Sequence, residues 1–145
     1  MSLKRKLISV GILGAICLSL IGIFLFPLMM EETSKPEFCG SCHVMDDEYQ
    51  SWFQSGSHAR ILCVDCHLPH DNFVNYLTWK GLDGTKDVIL FYSGMVSTHI
   101  DATSHARKTI QANCLRCHGD MVMRLSASEQ PCWHCHRSKF HFKNH

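Results

Sequence analysis

Four C-x-x-C-H units constrain this 145-residue chain more than anything else in it: Cys39-Gly-Ser-Cys42-His43, Cys63-Val-Asp-Cys66-His67, Cys114-Leu-Arg-Cys117-His118 and Cys132-Trp-His-Cys135-His136. They use eight of the nine cysteines. Paired C-x-x-C units also hold structural zinc. The histidine that follows each second cysteine decides between the two. With eleven histidines in 145 residues, four such coincidences would arise on the order of 3 times in 100,000. Zinc has no need of a histidine there. A c-type haem does: two thiols take its vinyl groups as thioethers, and the adjacent imidazole reaches the iron on the same side. The units therefore predict four covalently bound c-type haems. Cys17 stands apart in an apolar run and is expected to be an inert, buried thiol. A net charge of +1 gives no electrostatic footprint for nucleic acid.

Residues 31–145 are too few for four haems and a conventional core as well. The porphyrins would form much of the apolar interior. The expected fold is mainly α with long irregular segments, built of short helices with little or no sheet, as one compact multihaem domain over residues 31–145. The units pair as 39–67 and 114–136, with a connector over 68–113. Ser57-His58-Ala59-Arg60 and Ser104-His105-Ala106-Arg107 suggest duplication of a two-haem plan. In the connector, Phe73, Tyr76, Leu77 and Lys80 recur at helical spacing beside Trp79. That face suits packing on a haem and equally a place at a membrane surface. The stretch Lys80-Gly-Leu-Asp83-Gly-Thr-Lys86-Asp87 adds charge and glycine-permitted turns.

At the N-terminus, Lys4, Arg5 and Lys6 precede an uncharged run from Leu7 to Met30. As a helix it spans about 36 Å, against a hydrocarbon core of about 30 Å. A cleaved signal peptide has an apolar region of about 7–15 residues and a small-residue cleavage site. The exit here, Phe24-Leu-Phe-Pro27-Leu-Met-Met30, has neither feature. Residues 1–30 are expected to be a cytoplasmic stub and an uncleaved transmembrane anchor. Basic residues before the run and Glu31 and Glu32 after it place the N-terminus in the cytoplasm. The remainder is then exported, which agrees with haem attachment outside the cytoplasmic membrane. The setting is the bacterial inner membrane, with the haem domain periplasmic.

Each iron has two axial places. His43, His67, His118 and His136 are the motif ligands. His58, His70, His99, His105, His134, His141 and His145 compete for at most four distal places. His134, inside a C-x-x-C loop, suits this role least. A histidine near one unit reaches a neighbouring haem more readily than its own, so His58 and His141 are expected to cross-ligate. At the first unit, Met45 lies two residues beyond His43. The residues alone leave the choice between them open.

An N-terminal anchor, four C-x-x-C-H units in a short exported domain and C-x-x-C-H-x-M at the first unit resemble the membrane-anchored tetrahaem quinol dehydrogenases of the NapC/NirT family. Short length and Met45 resemble most the small subunit of cytochrome c nitrite reductase, the NrfH type. The resemblance spans essentially the whole chain. It implies that Met45, not His43, binds the first iron, whose other face is open or blocked by Asp87. It implies that Lys80 lines a quinol site beside that haem. His67, His118 and His136 would bind the second, third and fourth irons. His141 would be distal on the third haem and His58 on the fourth. The second haem's distal ligand would be a partner's lysine, with His105 as the internal alternative. The implied partners are menaquinol, membrane lipid and a catalytic multihaem reductase subunit, the pentahaem nitrite reductase. A terminal reductase, an electron conduit without a quinol site, and a donor to a different periplasmic reductase are the competing readings. The bland alternative for Lys80 and Asp87 is a pair of solvated turn charges.

Overall fold

The computed structural model describes residues 3–97, 100–123, 130–136 and 141. His99 and His145 lie outside the described residues. Six α-helices follow one another: α1 (Leu3–Glu32), α2 (Pro36–Cys39), α3 (Asp46–Phe53), α4 (Cys63–His67), α5 (Phe73–Tyr92) and α6 (Ser104–Val122). Short 3₁₀ turns occupy His43–Met45, Gly56–Arg60 and Cys132–His134. There is no strand among the described residues.

Helix α1 has 30 residues, none of them buried, and is long and apolar enough to cross a membrane. It runs through Pro27 and two residues past the apolar run. Cys17 is exposed on it. This corrects the expectation of a buried thiol, because none of the other described elements packs on the anchor at that depth.

Two helices are longer than expected. Helix α5 has 20 residues and passes straight through Gly81 and Gly84, where turns were expected. Glycine inside a helix costs about 1 kcal/mol but leaves its hydrogen bonds intact. The helix ends instead at Gly94, which takes a positive φ of 69°. The Met95 amide donates to the Leu90 carbonyl and the Gly94 amide to the Phe91 carbonyl, a complete Schellman stop. At the start of α5, Asn72 Oδ1 accepts from the Asn75 amide at 2.8 Å. Helix α6, capped by Thr103 on the Ala106 amide at 3.2 Å, carries the third unit inside it. The two Ser-His-Ala-Arg copies therefore fold differently: the first lies in a 3₁₀ turn and the second opens α6.

Helix α6 also fixes the second unit. The buried Asn113 donates through Nδ2 to the carbonyls of Cys66 (3.0 Å) and Leu68 (2.8 Å), and Arg116 donates to the Asp65 carbonyl at 3.1 Å. These are the carbonyls that a five-residue helix leaves without intrahelical partners. Asn113→Ala should destabilise the domain by about 1–3 kcal/mol, the cost of stranding buried acceptors. Denaturant unfolding followed by far-ultraviolet circular dichroism reads this change.

Candidate functional site

Attachment thiols of the first and second units touch, as do those of the third and fourth. The Cys63 thiol donates to the Cys39 sulfur, which lowers Cys39 to about 7 and drives Cys63 up. Burial raises the Cys66 thiol, and Cys117 adds to this from the third unit. Burial and contact with Cys132 push Cys114 up to about 12. First unit meets second, second meets third, and third meets fourth. The Cys132 amide also donates to Gln111 of α6 at 3.0 Å.

These walls suit haem better than zinc. Among the described residues, no group of three or more His, Cys, Asp or Glu side chains is arranged to hold a metal ion. Leu68 is the one buried hydrophobic residue among them. Large apolar groups held by thioethers would supply the interior that so thin a shell does not make for itself.

Imidazoles face one another across this shell. His67 and His141 have ring centres 6.0 Å apart, and His58 and His118 have ring centres 6.1 Å apart. Imidazoles paired in this way could hold a haem iron between them. The resemblance implied other pairings, with His141 on the third unit's iron and His58 on the fourth's. In the structure the His141 ring packs on that of His67 and the His58 ring on that of His118. Helix α3 holds His141 in place. The Glu48 carbonyl, which can only accept, takes the Nδ1–H of His141 at 2.9 Å, and Ser51 Oγ lies 2.8 Å from the same nitrogen. That tautomer leaves Nε2 free for a metal. Burial, with the charge of His141 adding, lowers His67 to about 4, so it is neutral near pH 7 and able to ligate. His105 stacks on Trp79, with ring centres 3.4 Å apart, and its Nε2 lies 3.4 Å from Thr109 Oγ1. His136 is exposed and is paired with no other imidazole among the described residues. His43 packs on Phe91 of α5, with ring centres 5.5 Å apart, and Met45 closes the adjoining 3₁₀ turn.

Helix α5 joins the first unit to the anchor. Lys80 Nζ donates to the Met30 carbonyl at 3.1 Å and to Ser34 Oγ. It sits 5.8 Å from the centre of the Tyr76 ring. Its charge meets the negative end of the α1 dipole, where a cation is favoured. Burial lowers the Lys80 pKa, and Cys39 opposes this. Tyr76, Lys80, Gly84, Asp87 and Phe91 fall on one stripe of the helix at its natural period. A Cβ at Gly84 would meet nothing within 4 Å, so the stripe is open between Lys80 and Asp87. Both charges act on the Cys39 thiol. The Asp87 carboxylate is 70% exposed and lies 3.5 Å from Lys86. Lys80 is thus a long-range joint to the anchor, and neither residue sits in a turn. Ser34, Ser51, Asn113 and Arg116 had no pattern in the sequence to mark them. Tyr76 was marked only as a helix-face aromatic, one turn before Lys80.

A single apolar helix long enough to span a bilayer, joined to a small helical body with C-x-x-C-H thiols strung in order, defines a membrane-anchored multihaem c-type cytochrome. The chain belongs to the NapC/NirT cytochrome c family, whose N-terminal region matches residues 1–145. It is 32% identical to the cytochrome c-type protein NrfH of Wolinella succinogenes over 77% of this chain and 71% of that one. It is 31% identical to the cytochrome c nitrite reductase subunit NrfH of Nitratidesulfovibrio vulgaris, over 91% and 83%. Among solved structures, it resembles a chain of a cytochrome c nitrite reductase NrfHA complex bound to the inhibitor HQNO. The TM-score is 0.74, with 32% identity over 87% of this chain and 86% of that one. Family membership makes haem c the covalent group of these thiols and makes the chain a single-pass membrane protein of electron transport.

Proposed function

We propose that the chain is a tetrahaem quinol dehydrogenase that oxidises menaquinol and passes electrons singly to a periplasmic reductase, the cytochrome c nitrite reductase. The observation that carries this reading is the join at Lys80. One residue links the last turn of the membrane helix to the helix stripe beside the first attachment unit. A quinol dissolved in the bilayer would meet the domain there. Helix α5 supports this placement. Val74, Leu82, Val88, Ile89 and Tyr92 are all exposed, and they share the side of the helix away from Lys80 and Asp87. No charge falls among positions 74, 78, 81, 82, 85, 88, 89 and 92, as expected of a helix resting on lipid. The N-terminus is cytoplasmic and the haem domain periplasmic, by the charge asymmetry about α1.

In this reading Cys39/Cys42, Cys63/Cys66, Cys114/Cys117 and Cys132/Cys135 hold the four haems, which supply one-electron redox chemistry. Met45 ligates the first iron, and His43, held on Phe91, does not. His67 with His141, and His118 with His58, ligate the second and third. His136 would ligate the fourth, and its exposed position suits contact with the reductase. Lys80 donates to the quinol oxygen and stabilises negative charge as the hydroxyl proton leaves. Asp87 accepts a proton on the same stripe. In liposomes holding the purified holoprotein, a menaquinol analogue should reduce all four haems, and HQNO should block this. Reduction by a protein donor alone would leave the conduit reading instead.

A further inference from the structure

The first iron has two candidate ligands in His43 and Met45, and the backbone between them makes the choice exclusive. Residues 43–45 form a 3₁₀ turn, held by the Met45 amide donating to the Cys42 carbonyl at 2.8 Å. At three residues per turn, side chains two apart point about 120° from each other. When one of the pair faces a haem bound at Cys39 and Cys42, the other points away from it. His43 is already engaged. Its ring centre lies 5.5 Å from that of Phe91, with the planes tilted by 59°, an ordinary aromatic contact. His67 and His118 face imidazoles instead, and a phenyl ring has no lone pair to share with a metal. Phe91 is itself held. It is half-buried on α5, its ring stands edge-on to that of Tyr92 at 5.4 Å, and its carbonyl takes the Gly94 amide where the helix stops. A second contact acts at the other end of the unit. A Cβ at Gly40 would come within 2.6 Å of the Tyr49 ring, so α3 lays that ring directly on the attachment loop. The first unit is thus gripped from two sides, by Tyr49 at Gly40 and by Phe91 at His43.

We propose that Phe91 is a positioning residue that selects the first haem's axial ligand: by holding the His43 ring, it leaves Met45 to bind the iron. The inference rests on the ligand set of the tetrahaem reading, in which Met45 and not His43 is the ligand. Without the phenyl ring the imidazole is free to turn. His43 then binds the iron through a ring nitrogen and the Met45 sulfur leaves it, with no change in the oxidation state of the iron. A thioether ligand holds a haem at higher potential than an imidazole does. The choice therefore sets how readily the first haem takes an electron. Phe91 lies one turn beyond Asp87 on α5, so the helix that carries Lys80 and Asp87 also governs the ligand of the haem beside them.

The test compares purified holoproteins: wild type, Met45→Leu, Phe91→Ala, the double variant and Phe91→Tyr. Redox titration is followed by haem absorbance and electron paramagnetic resonance. Met45→Leu should shift the spectrum and midpoint potential of one haem, which marks it as the first. Phe91→Ala should lower the potential of that same haem. Adding Met45→Leu to Phe91→Ala should then change nothing, because His43 already holds the iron. Phe91→Tyr, which keeps a ring, should match wild type. Haem content, from pyridine haemochrome spectra, should be equal in all five. If Met45→Leu is silent in the wild-type background, His43 is the native ligand, and the Met45 reading and the role of Phe91 both fall. If Met45→Leu acts equally with and without Phe91, the role of Phe91 is wrong and the Met45 reading stands. Loss of haem in Phe91→Ala would make the residue structural and overturn its selecting role.

Discussion

Lys80→Met will lower quinol-dependent haem reduction by about 10²-fold or more and leave four dithionite-reducible haems in place. The magnitude is that of removing one charge-assisted donor from a developing oxyanion in a partly dry site. Methionine keeps the stem that packs beside Tyr76 and loses the ammonium that bonds Met30 and Ser34. Lys80→Gln keeps donor hydrogens for the join without the charge, so a shortfall common to both variants isolates the charge. The wild-type pH profile carries the same signature. Burial lowers the Lys80 pKa, and the donating form is the protonated one. Activity should therefore fall as pH rises, and at a lower pH than an ordinary lysine near 10.4 would give. Stopped-flow absorbance of haem reduction, with haem content from pyridine haemochrome spectra, reads both results. If haem content falls together with activity, Lys80 serves as a structural clasp between α1 and α5 and the catalytic assignment is wrong.

The residues that chemistry repeats were legible in the sequence. Eight cysteines and their trailing histidines announced haem because the spacing is dictated by the porphyrin, whatever the fold around it. The anchor was legible because a bilayer imposes length and apolarity on any helix that crosses it. The course of the connector was not. Gly81 and Gly84 read as turns, since local propensity cannot show that a 20-residue helix absorbs their cost through its continuous hydrogen bonds. The stop at Gly94 became clear only from its positive φ. The join of Lys80 to Met30 spans 50 residues and leaves no periodic trace. Nor does the choice among distal histidines. His58, His105 and His141 are alike in sequence terms. What distinguishes them is a stacked Trp79 at His105 and a Glu48 carbonyl at His141, and both are properties of folded neighbours.

The imidazole pairs give the second large effect. His141→Ala should convert the haem on Cys63/Cys66 from low spin to high spin, and His58→Ala should do the same to the haem on Cys114/Cys117. Each removes one of two imidazoles whose ring centres stand about 6 Å apart, so one axial face opens and the ligand field weakens. Electron paramagnetic resonance counts the loss as one low-spin component per variant, and two in the double variant. Nuclear Overhauser contacts between the altered haem's substituents and its thioether cysteines identify which haem changed. Signals from Cys114/Cys117 in His141→Ala and from Cys132/Cys135 in His58→Ala would restore the pairings that the family resemblance implied. The stakes reach beyond two ligands. With His141 on the second haem and His58 on the third, no imidazole of the described residues stands opposite His136. The fourth unit lies at the far end of the thiol series from Cys39 and Lys80, where electrons that began at the membrane would leave.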